Sequence, residues 1–157
     1  MKIAVLSDSH GCNNMIDYVL DKEKDAKLFL HCGDICVDEF VYPELITVCG
    51  NNDYYDYPMQ RVLNIGDHRI IMFHSHQFPF YKKEDKMIQR AKEYGCDILL
   101  FGHTHIPYLK VKDGITLLNP GSLYHNRDGS KPSYAVMNIN GDKVDIQMIY
   151  IDESEVY

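Results

Sequence analysis

Apolar runs that stop abruptly at short polar clusters constrain this chain more than any other feature. Asp8-Ser9-His10, Gly33-Asp34, Gly50-Asn51-Asn52-Asp53 and Gly102-His103-Thr104-His105 each follow such a run, and His74 follows Arg69 to Phe73. In open α/β sheets, sites gather beyond the carboxyl ends of strands. If each run is a strand, the clusters meet at one edge although far apart in sequence. They bring carboxylate and amide oxygens and imidazole nitrogens. That set suits two divalent metals side by side, and paired metals activate water against phosphate esters.

The runs divide the chain into alternating elements. Ile3 to Leu6 reads as a buried strand, and Asn13 to Lys22 as a helix capped by Asn13 or Asn14, with Met15, Ile16, Val19 and Leu20 on one face. Leu28 to Leu30 and Leu45 to Val48 read as strands, with a short helix around Asp38 to Tyr42 stopping before Pro43. Arg61 to Ile65 and Arg69 to Phe73 form a hairpin about the turn Gly66-Asp67-His68. A second long helix is expected from Lys82 to Tyr94, with Met87, Ile88 and Ala91 inward and Gly95 as its C-terminal cap. Asp97 to Phe101 is a strand, and hairpins follow at Asp113-Gly114 and Asn140-Gly141-Asp142. The expected class is α/β, two packed sheets flanked by helices, parallel in the front half and rich in hairpins in the back half. Without repeats, low-complexity stretches or a linker, one domain over residues 1–157 is expected.

Bulk properties narrow the function. Sixteen basic against 23 acidic residues give a formal charge of −7. Such a surface repels a phosphate backbone, so non-specific nucleic-acid binding is not expected. No segment is long and apolar enough for a membrane span, and the start lacks a signal-peptide core, so a cytoplasmic location is expected. The five cysteines, Cys12, Cys32, Cys36, Cys49 and Cys96, lack zinc-ribbon spacing and read as reduced thiols. Attraction for phosphate would have to come from bound cations, about four positive charges for two divalent ions.

Spacing suggests how the ligands share the work. Asp8-x-His10 and His103-x-His105 have a period of two, so in extended backbone each pair would point to one side. Asp34 lies between the other carboxylate and amide motifs and is the expected bridge, holding two ions about 3.5–4 Å apart. Asn51 adds a neutral oxygen, and His10, His74, His103 and His105 supply imidazoles. Such donors suit manganese first, with iron, nickel, zinc or cobalt as alternatives, rather than calcium.

Taken in order, Asp8-x-His10, Gly33-Asp34, Gly50-Asn51-x-Asp53, His74 and Gly102-His103-x-His105 resemble the signature of the calcineurin-like metallophosphoesterase superfamily. Asn119-Pro120-Gly121-Ser122 and His74-Ser75-His76 resemble segments of its small bacterial and archaeal phosphodiesterase branch. The resemblance implies a four-layer α/β/β/α sandwich. It implies a first metal on Asp8, His10, Asp34 and His105, and a second on Asp34, Asn51, His74 and His103. Many relatives carry His where this chain has Asn52, and Asn cannot donate a catalytic proton at neutral pH. Asn52 is then a residue that orients phosphoryl oxygens, and His76 a candidate substitute acid, with a supporting or surface histidine as the alternative.

The expected activity is phosphodiester hydrolysis of a small substrate by a hydroxide bridging two ions. The main alternative is a catalytically weak or inactive interaction scaffold of the same fold. A repair nuclease is disfavoured by the short chain and the absence of a basic groove. Tyr54, Tyr55, Tyr57, Phe78, Phe80 and Tyr81 follow ligand motifs and read as a packed rim, a pocket wall, or a homodimer contact. His31 is expected to border the site, His68 to sit in a turn, and His125 in a solvated loop. The charges from Lys82 to Lys92 read as an exposed helix face.

Overall fold

A computed structural model of the chain describes residues 1–156; Tyr157, the last residue of the expected domain, lies outside them. Its first strand shows why the apolar runs are continuous rather than alternating. In β1 (Lys2–Leu6), Ile3 and Val5 enter one core while Ala4 and Leu6 enter another. Both faces are buried, so both must be apolar.

β1, β2 (Leu28–His31) and β3 (Leu45–Thr47) pair in parallel. The hairpin β9 (Ser133–Asn140) and β10 (Lys143–Tyr150) joins antiparallel beside β1, giving the order β10-β9-β1-β2-β3. The second sheet holds β4 (Gln60–Ile65), β5 (His68–Phe73), β6 (Ile98–Phe101), β7 (Tyr108–Lys112) and β8 (Ile115–Asn119) in the order β4-β5-β6-β8-β7. Here β5, β6 and β8 are parallel, so parallel pairing is not confined to the front half as the pattern suggested. Hairpin turns mark only the outer pairs, β4 with β5 and β7 with β8.

Three apolar clusters fix the layer order. Ile3, Val5 and Leu30 of the first sheet meet Ile70, Met72, Ile98 and Leu100 of the second. Behind the first sheet, Ala4 and Leu6 pack on Met15, Ile16 and Val19 of α1 (Asn13–Lys22). Behind the second, Ile71, Phe73, Leu99 and Leu117 pack on Met87, Ile88 and Ala91 of α2 (Lys83–Glu93). The result is the expected four-layer α/β/β/α sandwich. No helix among the described residues is long and apolar enough to cross a membrane.

Local chemistry overrode two expectations. The helix around Asp38 to Tyr42 is replaced by turns, because Asp38 Oδ1 accepts from Phe40 N at 2.9 Å and offers the backbone another partner. Neither Asn13 nor Asn14 caps α1; Cys12 holds the N-cap position without a side-chain bond. Gly95, in contrast, ends α2 with φ +68° as expected.

His68 departs furthest from its expected role. It opens β5 rather than sitting in the turn, and it is 8% exposed. Nδ1 lies 2.6 Å from Asp97 Oδ2 and Nε2 lies 2.7 Å from the Gly141 carbonyl, so the ring ties the second sheet to the β9–β10 turn. Both partners accept, so both bonds require the doubly protonated ring. The bond to Asp97 first, then that to Gly141, raises its pKa above the ordinary 6.5. A raised folded pKa gives stability that is complete below the unfolded value and is lost as pH rises through the folded one. Denaturation midpoints measured from about pH 6 to pH 9 should fall more steeply in the wild type than in His68→Gln. Parallel slopes would remove His68 as the cause.

Candidate metal centre

Every cluster of the sequence pattern emerges at a strand's carboxyl end. Asp8 follows β1, Asp34 follows β2, Asn51 follows β3, His74 follows β5 and His103 follows β6. The loops after β1 and β2 are zipped together by Asp8 N to Gly33 O at 3.0 Å and His10 N to Asp34 O at 2.9 Å. Gly50 and Gly102 are required by close approach. A Cβ on Gly50 would collide with the Asp34 carboxylate and amide, and one on Gly102 with Ser7 Oγ and Asp8 Oδ2.

The backbone is not extended here. Asp8, His10, Asp34, His103 and His105 all have φ between 46° and 74°, the left-handed region. Asp8 and His10 still share one candidate cation group, but without extended backbone, and the pairing fails for His103 and His105. His105 Nε2 approaches Asp8 Oδ1 at 3.2 Å, whereas His103 Nδ1 approaches Asn51 Oδ1 at 3.1 Å. The two histidines serve opposite ends of the site. Non-glycine residues in this region cost about 1–3 kcal/mol each and cluster where the surrounding structure enforces them.

Two groups of three could each hold a cation: Asp8, His10 and His105, and Asp8, Asp34 and His74. Asp34 Oδ2 lies 3.5 Å from His10 Nε2 and 3.3 Å from His74 Nε2, so it faces both groups. Asn51 Oδ1 lies 3.0 Å from His74 Nε2. All seven expected ligands thus surround one region.

Asp8 provides the test of fit. It is fully buried, and its Oδ1 has no hydrogen-bond partner although His105, His74 and His10 present Nε2 at 3.2, 3.7 and 3.8 Å. Its other oxygen is satisfied by Ser7 Oγ at 2.6 Å and His103 N at 3.0 Å. A buried carboxylate oxygen without a proton donor is costly. A divalent cation among these nitrogens removes that cost, so the residues fit one.

The histidines are aimed accordingly. His74 Nδ1 donates to Cys32 O at 2.8 Å and His105 Nδ1 to His125 O at 2.9 Å, because a carbonyl only accepts. Both Nε2 atoms are thereby left to face the carboxylates, as outer partners of ligating histidines do. Burial works against ionisation of Asp8, but His10, His105 and His74 outweigh it and hold the carboxyl well below its usual range. Burial likewise opposes ionisation of Asp34, yet His74 and the Asn52 amides bring its pKa to about 2. Burial, helped by His74 and Lys83, pushes His103 down to about 4, so its imidazole stays neutral and able to ligate.

The remaining expected residues divide. Asn52 donates from N and Nδ2 to the two Asp34 oxygens, at 2.8 and 2.9 Å. His76 sits at the rim, its ring 5.4 Å from that of His74, with a buried and unpartnered Nδ1. Asp53 accepts three backbone amides from the surrounding loops. His31 borders the site from the buried side, as expected, accepting Gly33 N on Nδ1 and giving its other nitrogen to Ser9 Oγ at 3.0 Å. His125 contributes its carbonyl, not its ring. Ser122 Oγ donates to Asp8 O at 2.7 Å, which gives Asn119-Pro120-Gly121-Ser122 its place in the site.

Lys83 and Arg127 were not legible as site residues. Both line a cavity that also includes His103, and Lys83 is half-buried instead of belonging to an exposed helix face. Sequence offered no signal for either, because only the tertiary fold brings them beside His103.

Residues 1–142 match the model of the calcineurin-like phosphoesterase superfamily domain. The chain is 31% identical over 163 aligned positions to a probable metallophosphoesterase of Mycoplasma genitalium, covering 99% of each. The solved structure of a conserved uncharacterized protein of Streptococcus pneumoniae, a predicted phosphoesterase, superposes with a TM-score of 0.87 at 30% identity, over 95% of this chain and 88% of that one. Vacuolar protein sorting 29 of Cryptosporidium parvum shares the fold at a TM-score of 0.76 and 21% identity, over 94% and 96% of the two chains. A site of strand-end Asp, Asn and His residues and a match over most of the chain lead to one conclusion: this protein belongs to the calcineurin-like phosphoesterase superfamily.

Proposed function

We propose that the protein is a dinuclear metal-dependent phosphodiesterase acting on a small substrate in the cytoplasm. Membership of the superfamily implies divalent metal ions and a phosphoesterase hydrolase; the pairing of ions and the diester preference are our reading. Asp8, His10, Asp34 and His105 would hold one ion. Asp34, Asn51, His74 and His103 would hold the other. The observation that carries this is Asp34 Oδ2, which stands between His10 and His74 while Asp8 Oδ1 is left without a proton donor.

Bound there, two ions would acidify water and offset charge on phosphoryl oxygens, and manganese suits the mixed oxygen and nitrogen donors. The chain's own residues do the rest. Asn52 steadies both oxygens of Asp34 and presents its amide at the open side of the site, where it can orient a phosphoryl oxygen. His76 stands beside the metal ligands, its ring 5.4 Å from that of His74 and 6.3 Å from that of His103, and is the candidate acid for the leaving oxygen. Asn52 itself cannot protonate a leaving group, which favours diesters with good leaving groups over monoesters with poor ones.

The scaffold reading rests on the fold shared with vacuolar protein sorting 29, at an identity that speaks for architecture alone. The complete ligand set, with Asp34 facing both candidate groups, favours hydrolysis, and turnover decides between the two readings. Purified protein with added manganese should turn over bis(p-nitrophenyl) phosphate faster than p-nitrophenyl phosphate and contain about two metal equivalents. Inactivity with manganese, nickel, cobalt and iron alike would end the hydrolase reading in favour of the scaffold.

A further inference from the structure

Next to the metal centre lies a groove that none of the assigned ligands needs. A cavity of about 420 Å³ is lined by His103, Phe78, Phe80, Thr104 and Ile106, together with the cations Lys83 and Arg127. It continues into a second cavity of about 250 Å³ through the shared residues Lys83, Thr104 and Ile106. Met87, Phe101 and Tyr108 make that second part largely apolar.

Three features separate this groove from an ordinary rim. First, its cations lack counterions. The lysine ion pairs among the described residues are made by Lys2, Lys92, Lys110, Lys112, Lys131 and Lys143, and neither Lys83 nor Arg127 takes part in one. Glu84, next to Lys83 and facing the second cavity, is engaged by Tyr108 and by Lys110 Nζ at 3.2 Å. Among the described lysines without an ion pair, Lys83 alone is half-buried, which holds its ammonium against the groove instead of in open solvent. Second, the aromatic wall is both braced and bare. Phe78 is held by Phe73 at 4.8 Å and by the Arg90 guanidinium at 5.1 Å, whereas Phe80 is 98% exposed. Third, the groove opens on His103, so anything seated in it can extend from a phosphorus held at the metals.

We propose that this groove binds the non-scissile arm of the substrate, and that this arm joins an aromatic ring and a second phosphate through a short linker, as a nucleotide does. The proposal rests on the phosphodiesterase reading and names its substrate class. The ring stacks against Phe80 and Phe78 with Ile106 opposite. The second phosphate lies between Lys83 and Arg127, where charge-assisted bonds are strong and the guanidinium can bind two oxygens at once. A plain diester such as bis(p-nitrophenyl) phosphate fills the ring position and leaves both cations unmatched.

Competition binding to the metal-loaded protein tests this without turnover, using adenosine 3′,5′-bisphosphate, adenosine 5′-monophosphate and inorganic phosphate. The bisphosphate should bind about tenfold more tightly than the monophosphate. That ratio should fall in Lys83→Met and in Arg127→Met, approach one in the double variant, and be kept in Lys83→Arg. Phe80→Ala should weaken both nucleotides and leave inorganic phosphate unaffected. A ratio near one in the wild type, or an undiminished ratio in the double variant, overturns the subsite. Turnover of bis(p-nitrophenyl) phosphate, followed in parallel, separates the two claims. Turnover with a ratio of one removes the subsite alone, whereas no turnover with the ratio intact removes the phosphodiesterase reading and leaves the subsite standing.

Discussion

Asp34→Asn should abolish phosphodiester turnover and lower the metal content in the same preparation. Among the described residues, Asp34 Oδ2 is the one carboxylate oxygen placed within 3.5 Å of imidazoles from both halves of the site. A carboxamide keeps the volume but offers a single oxygen and no charge, so it cannot serve two cations. Supporting residues around a metal typically cost about 10–100-fold in affinity or activity when changed. A shared ligand should exceed that, so a loss of more than about a hundredfold is expected. The fold should survive. One of the two charge-assisted bonds from Asn52 is lost, worth about 1.5–3 kcal/mol, which a protein of ordinary stability tolerates. Elemental analysis, circular dichroism and a bis-aryl phosphate assay on the same sample distinguish the cases. Full metal content with full turnover in the variant would refute a bridging role for Asp34.

That the site could be placed before any coordinates follows from sheet geometry. Parallel strands present their carboxyl ends together, so Asp8, Asp34, Asn51, His74 and His103 had to meet once the runs before them were strands. The four layers were legible for a related reason: Ile3 to Leu6 and Ile98 to Phe101 are apolar at every position, which only a strand covered on both faces requires. What stayed hidden depends on non-local partners. His68 looks like a turn residue until Asp97 and Gly141 are brought to its two nitrogens. Lys83 looks solvated until His103 arrives beside it. The ligand loops read as extended because the left-handed backbone at Asp8, His10 and His105 is enforced by hydrogen bonds between loops, such as Gly11 N to Ile35 O at 3.1 Å. The motif spacing was a sound guide to which residues gather at one sheet edge and a poor one to how they converge.

Asp53 is where that enforcement concentrates, and Asp53→Ala should cost the most stability of any single change near the site. Its Oδ2 accepts Asp34 N at 2.8 Å and Gly50 N at 2.7 Å, and its Oδ1 accepts Cys36 N at 2.8 Å. Asp34 and Cys36 both have left-handed backbone, at φ 57° and 61°, so the carboxylate holds two residues in conformations they would otherwise leave. Bonds to a charged acceptor contribute about 1.5–3 kcal/mol each. The position is half-buried and water can replace part of this, so a loss of about 3 kcal/mol is the reasonable total. In a chain of this size that lowers the melting temperature by roughly 6–12 °C. Asp53→Asn should fall between, because one oxygen can keep the amides of Asp34 and Gly50 while its NH2 opposes Cys36 N. Metal content should drop in both variants, although Asp53 is not among the expected ligands. Bound metal also stabilises the folded state by mass action, so the measurement must be repeated in chelator. If Asp53 shapes the loops directly, the deficit of Asp53→Ala persists in metal-free protein. If the deficit vanishes there, Asp53 acts only through the ions, and the left-handed turns are held by the metals rather than prepared for them.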